Sequence, residues 1–235
     1  MILYELPIKV ELLGTELLVN GKSIPHTVRH MKEMRSIFLD SSGEANDLDL
    51  YYMYRSVYSA SGMRFDITLI PPRAINGEYV KTYGHYHPIA EKNLTYPEIY
   101  QVLNGSASFV LQRKDMTGSV DVIIINAKKG DVLLIPSNYG HATVNTGNEK
   151  LILSNVVCDK FDSVYVDFKT MKGAAYYITK EGLVQNTSYL VKSFNKATPE
   201  KFNKLYNFSC SDVLVEFYNN PDTFRFLENP SLLFK

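Results

Sequence analysis

The chain has 235 residues, 45% of them hydrophobic, with 25 basic and 25 acidic side chains and a formal net charge of zero. That length can bury a large core as one β domain, or as a domain with an appendage. The even charge and the lack of any basic run give no electrostatic basis for binding nucleic acid or a membrane surface.

Met1 to Val10 carries Glu5 and Lys9 among its apolar residues and lacks the pattern of a secretory leader. No segment approaches the roughly eighteen consecutive apolar residues of a membrane span. Cys158 and Cys210 are too few and too far apart for a disulfide framework, and the expected location is the cytoplasm.

In chain order, Asn20-Gly21 marks a tight hairpin turn, so Val10 to Val19 and the segment from Ser23 read as paired strands. Thr27 to Met34 has apolar spacing nearer a helical turn. His26 and His30, four apart, would share a face there, and with no carboxylate or cysteine beside them they are assigned to surface or packing. Asp40 to Leu50 is a polar loop. Tyr51 to Tyr58 and Arg64 to Ile70 are aromatic and β-branched, joined at Ser61-Gly62 as a hairpin, and Pro71-Pro72 ends the second strand.

Six short strands follow: Glu98 to Val102, Ser106 to Gln112, Val120 to Asn126, Asp131 to Ile135, His141 to Asn145 and Leu151 to Val157. Glycine-bearing turns separate them. Such spacing predicts an all-β antiparallel sandwich or barrel, with a jelly roll as one closed solution, over residues 1–185. From about Asn186 the pattern changes. Thr198-Pro199-Glu200 reads as a helix start and Ser211-Asp212 as another, so 186–235 is expected to be a short helical extension.

Three of the five histidines sit in two short segments, Thr82-Tyr83-Gly84-His85-Tyr86-His87 and Gly140-His141. Side chains two apart in an extended strand share a face, so His85 and His87 can aim at one ion while Tyr86 points away. His141 and a carboxylate would complete the nitrogen and oxygen set that divalent metals favour.

The segments can be written His85-x-His87, ten residues, Glu98, six residues, Gly105, and then Gly130, five residues, Pro136, Asn138, two residues, His141, three residues, Asn145. They resemble the paired motifs of the cupin superfamily. That resemblance implies a small jelly-roll barrel with one divalent metal (iron, zinc, manganese or nickel) held by His85, His87, Glu98 and His141. Asn138 departs from the glycine usual there, and the interval from His87 to Glu98 is longer than usual. Glu91 is a rival ligand in that long loop, but Glu98 has the spacing to Gly105 and opens a strand.

Within cupins, these segments together with Glu98-Ile99-Tyr100 and His141-Ala142-Thr143-Val144-Asn145-Thr146-Gly147 resemble the cupin-type phosphoglucose isomerases known chiefly from archaea, over about Thr27 to Gly182. The resemblance implies interconversion of glucose 6-phosphate and fructose 6-phosphate, and a homodimer. It also implies phosphate contacts by Thr68, Thr82, Gly84 and Tyr165. Val157 and Ser163 depart from a tyrosine and a histidine that the family places in the pocket. Glu98 is the candidate general base of an enediol route, with a hydride shift as the competing route. Tyr100 shares its face and could orient a substrate hydroxyl or simply line the barrel. A sugar-phosphate binder without activity, or a different cupin metalloenzyme such as a dioxygenase, are the alternative functions.

Overall fold

In the strand Met63–Ile70, Phe65, Ile67 and Leu69 face one way, and Arg64 and Thr68 line a pocket on the other, as the two-residue repeat of a strand requires. A computed structural model describes residues 1–234. This strand lies within a six-stranded antiparallel sheet ordered Val132–Ile135, Glu98–Asn104, Leu151–Cys158, Met63–Ile70, Asp49–Ala60 and Thr27–His30. A second sheet runs Gly140–Asn145, Ser106–Lys114, Val120–Lys128 and Val191–Ala197.

From Glu98 onward the chain passes repeatedly between the two sheets, and contacts such as Tyr100 against Phe109, ring centroids 5.5 Å apart, join their inner faces. This two-sheet arrangement is the all-β jelly roll that the strand spacing led to expect. The six strands from Glu98 to Cys158 sit where the sequence places them, each a residue or two longer or shorter, but Val10 to Val19 is not one strand: Val10–Leu13 and Glu16–Val19 pair with each other across a turn at Gly14-Thr15.

The six-stranded sheet is covered on both faces. Its outer face, including Phe65, Ile67, Leu69, Ile99, Leu134, Ile152 and Val156, packs against Val10, Leu12 and Leu17 of the N-terminal strands and against Val213, Leu214, Phe217, Phe224 and Leu227 of the C-terminal segment. Burial of each such side chain is worth about 1.5–3 kcal/mol. The outer face therefore carries an apolar core of its own, and the inner face is left free to hold polar groups at one end.

Helices Pro199–Lys204 and Val213–Asn219 start where the sequence signals them: Thr198 Oγ1 accepts from the Lys201 N–H, and Asp212 Oδ1 from the Val215 N–H. Between the predicted boundary at 186 and these helices, however, Val191–Ala197 is a strand paired in parallel with Val120–Lys128. The open edge of Val120–Lys128 supplies its hydrogen bonds, and its polar run Lys192-Ser193 and Asn195-Lys196 hides it from an apolar-pattern reading.

Thr27–Met34 also differs from expectation. Thr27–His30 is an edge strand paired with Asp49–Ala60, and only Met31–Met34 is helical. The available sheet edge outweighs the local spacing. His26 and His30 thus share no helix face. His26 packs on the Tyr52 and Tyr54 rings, and His30 Nδ1 does meet a carboxylate, 2.9 Å from Asp49 Oδ1.

The edge strand Val132–Ile135 is capped by Asn203, which accepts from the Leu134 N–H at 3.0 Å and donates to the Val132 carbonyl at 2.8 Å. Asn203→Ala removes both partners, and an unmet buried backbone group costs about 1–3 kcal/mol. Urea unfolding is expected to show a loss in that range, and a midpoint unchanged from the parent would contradict the capping role.

Candidate metal centre

The segment before the first two histidines runs extended against Gly140–Asn145. Thr82 N–H donates to the Thr143 carbonyl at 2.8 Å, and His85 and His141 exchange both backbone hydrogen bonds, at 3.1 and 3.0 Å. Register thus sets the two histidines directly opposite each other, with ring centroids 4.4 Å apart. His87 follows on the same side, its Nε2 3.1 Å from that of His85. Tyr86 points away as expected. Its ring packs so closely over Gly140 that a Cβ there would lie 2.5 Å from it, so the residue before His141 has to be glycine.

Glu98 completes the group. Its Oε2 lies 3.2 Å from His141 Nε2 and 3.4 Å from His87 Nε2. The four candidate ligand atoms all fall within 4.8 Å of one another. Ligands about 2.1 Å from a shared tetrahedral ion are roughly 3.4 Å apart, so these separations suit a cation at their centre. Glu98 Oε2 is buried without a hydrogen-bond partner, whereas its Oε1 accepts from Asn155 Nδ2 at 2.7 Å. One oxygen is fixed by the protein and the other is turned to where an ion would sit. These residues fit a metal.

Electrostatics agree with the geometry. Burial, followed by the neighbouring His141 and His87, pushes the His85 imidazole well below its usual pKa, and burial likewise lowers His141. Both rings are therefore neutral and able to donate a lone pair. Burial alone would raise the Glu98 carboxyl, but the His141 and His87 imidazoles outweigh it and hold the group well below the usual carboxylate range. His87 Nδ1 lies 2.8 Å from the Tyr96 carbonyl, which fixes the proton on Nδ1 and leaves Nε2 for the ion. Burial and then Glu98 raise the Tyr100 hydroxyl, so it stays protonated, 3.3 Å from His141 Nε2.

Of the predicted phosphate contacts, Thr68, Thr82 and Tyr165 line the same pocket as the histidines. Thr82 Oγ1 also accepts from the Thr143 N–H. Gly84 does not line it. Its φ of 80° and the Phe168 ring, 2.3 Å from where a Cβ would be, explain the glycine by packing. Val157 and Ser163 line the pocket too. Glu91 lies outside the metal group and accepts from the Ser231 N–H at 2.6 Å. The long loop is a hairpin, Ile89–Glu91 with Leu94–Thr95, and Asn138 ties it down by accepting from the Thr95 N–H. Asn138 has a φ of 70°, a left-handed conformation that asparagine tolerates almost as glycine does.

Sequence reading missed Asn155, Tyr51, Phe161, Arg55 and Arg64 in this pocket. Arg64, Asp66 and Thr68, alternating inside an apolar strand, were a visible signal. Asn155 reaches Glu98 only through strand pairing, which no local pattern reveals.

Residues 41–192 match the family model described as glucose-6-phosphate isomerase. Among curated relatives, a glucose-6-phosphate isomerase of Thermococcus litoralis is 26% identical over 157 residues, 63% of this chain and 77% of that one. That of Thermococcus onnurineus is 26% identical over 186 residues, 76% and 92% respectively, and that of Thermococcus gammatolerans 29% over 156 residues, 63% and 77%. Among solved structures, oxalate decarboxylase from Bacillus subtilis is similar at 21% identity and a TM-score of 0.35, covering 48% of this chain and 26% of that one.

His85→Ala and His141→Ala are each expected to abolish stoichiometric metal, and Asn155→Ala to weaken metal binding by about 10–100-fold. Metal analysis after dialysis against graded chelator checks all three; full occupancy in both histidine variants would rule out this centre.

Proposed function

The chain belongs to the glucose-6-phosphate isomerase family, and from that premise we propose that it is a metal-dependent aldose–ketose isomerase interconverting glucose 6-phosphate and fructose 6-phosphate. The observation that carries this reading is the buried group His85, His87, Glu98 and His141 opening on a pocket lined by hydroxyls. When bound there, a divalent cation supplies Lewis acidity toward the charge that develops on the sugar's O1 and O2. Iron, zinc, manganese and nickel all suit the ligand set.

The remaining work falls to the protein. Thr68, Thr82, Tyr165 and Tyr51 bring hydroxyl donors to the pocket, suited to a phosphate, and Arg29 stands over two pocket rings, its guanidinium 5.7 Å from the Tyr165 centroid and 6.0 Å from that of Tyr83. Tyr100, kept protonated, orients a sugar hydroxyl. In the enediol route Glu98 takes the proton from C2 of glucose 6-phosphate, or C1 of fructose 6-phosphate, and returns it to the neighbouring carbon. One observation favours the competing hydride shift: Glu98 Oε1 is held by Asn155 and its other oxygen belongs to the candidate metal group, which leaves neither oxygen free to carry the proton.

Cytoplasmic residence is part of the proposal, supported by two free cysteines, Cys158 and Cys210. So is a homodimer, for which exposed Val184, Leu190 and Phe194 near the edge strand Val191–Ala197 offer an apolar contact.

Fructose 6-phosphate turnover, coupled to glucose 6-phosphate oxidation, is expected to stop on chelation and return with added metal. Tight binding without turnover in the metal-loaded protein would contradict the isomerase reading. Glu98→Gln is expected to lower kcat by about 10²–10⁴-fold if the residue moves the proton. Solvent deuterium appearing in the product supports the enediol route, and its complete absence the hydride shift.

A further inference from the structure

Two guanidiniums in the pocket have no part in the isomerisation described above. Arg55 and Arg64 both line the metal pocket and both line a second cavity that opens beside it, together with Phe161 and Ser163. Their common partner is Asp66, fully buried at the sheet, with Oδ2 2.7 Å from Arg55 Nη1 and 2.9 Å from Arg64 Nε. Asp66 Oδ1 is taken by the Ser56 N–H at 2.8 Å. One carboxylate thus positions two cations and neutralises one of them. Asp162 stands on the rim of the second cavity, but it is solvent-exposed and forms no ion pair with either arginine among the described residues.

The register separates this pair from the hydroxyl-bearing end. Arg64 and Thr68 lie four residues apart on one face of Met63–Ile70, about 13 Å along a strand. Across the sheet Glu98 pairs with Val157, and Val157 with Arg64. Val157 is short, so nothing bulky stands in that row between the metal group and the arginine. The pocket therefore presents hydroxyls at Thr68 and Thr82 on one side, Glu98 of the metal group in the row of Arg64, and, where it meets the second cavity, the guanidiniums of Arg55 and Arg64 with the Tyr165 hydroxyl among them. Planar guanidinium forks are the side chains best matched to phosphate oxygens.

We propose that Arg55 and Arg64 form a second phosphate position at the mouth of the pocket, so that a sugar phosphorylated at both ends spans it and blocks the isomerisation. The identity of the inner position and the blocking rest on the isomerase reading; the anion position at the mouth does not. A ketohexose 1,6-bisphosphate has O1 esterified, so C1 cannot become the free aldehyde of the product. It occupies the pocket without turning over.

The test is calorimetric titration of the metal-loaded full chain with fructose 1,6-bisphosphate and, separately, with fructose 6-phosphate. The bisphosphate is expected to bind about ten-fold or more tightly than the monophosphate, the gain of charge-assisted hydrogen bonds at a second phosphate, and to lose more affinity as salt rises. In the doubly substituted Arg55→Gln/Arg64→Gln protein, where the Arg64→Gln amide takes the position of the Nε donor to Asp66, the ratio of the two affinities is expected to fall to about two or less. Should that protein fail to fold, the salt dependence in the unaltered chain decides, since only a second charged contact steepens it for the bisphosphate. Equal affinities for the two ligands, equal salt dependences, or an undiminished ratio in a folded variant would overturn the proposal. If fructose 6-phosphate neither binds nor turns over while bisphosphate heat remains sensitive to the arginine substitutions, the isomerase reading fails and the anion position stands.

Discussion

A carboxylate removed from water must be answered on both oxygens, and around Glu98 the chain supplies only one answer. Asn155 meets Oε1, while Oε2 faces the imidazoles of the metal group with no hydrogen-bond partner among the described residues. The cost of such an arrangement falls away when a cation occupies the gap. The rest of the architecture allows this polar group to exist. The six-stranded sheet directs its bulk apolar residues outward, where the N-terminal strands and the C-terminal segment bury them, and so releases its inner face for Arg64, Thr68, Glu98, Tyr100 and Asn155.

The parts legible in the sequence were those that depend on local spacing. Two histidines with one residue between them share a face in any extended segment, whereas the reason for the glycine before His141, the ring of Tyr86 packed over it, appears only in the fold. Glu98 was separable from Glu91 because it opens a strand, and the structure gives Glu91 a different task, accepting from the backbone of Ser231. Asn138 kept the backbone shape that a glycine would give. What was not legible depends on pairing at a distance. Asn155 comes to Glu98 across neighbouring strands 57 residues apart in the chain. Thr27–His30 and Val191–Ala197 are strands only because existing sheet edges offer them partners, and their own compositions point elsewhere.

The departures at Val157 and Ser163 are informative when set beside their neighbours. Both positions border Arg55 and Arg64, so small side chains stand where charge reaches the pocket. The wall nearest the metal group is therefore polar and cationic toward the mouth and hydroxylic toward the interior. Such a gradient favours ligands by the placement of their charges along the pocket more than by their hydrocarbon shape.

The stretch matched by the family model ends at residue 192, and Asn203 lies beyond it. Asn203 holds Val132 and Leu134, and the strand they belong to is hydrogen-bonded to the one that begins with Glu98, with Ile135 directly beside that glutamate. The tail is thus in mechanical series with a metal ligand. A proteolytic nick that let residues 199–234 peel away would bare an apolar sheet face and an unpaired strand edge, both templates for self-association. Loss of metal and aggregation would then share one origin, far from the pocket in sequence and one strand away in space.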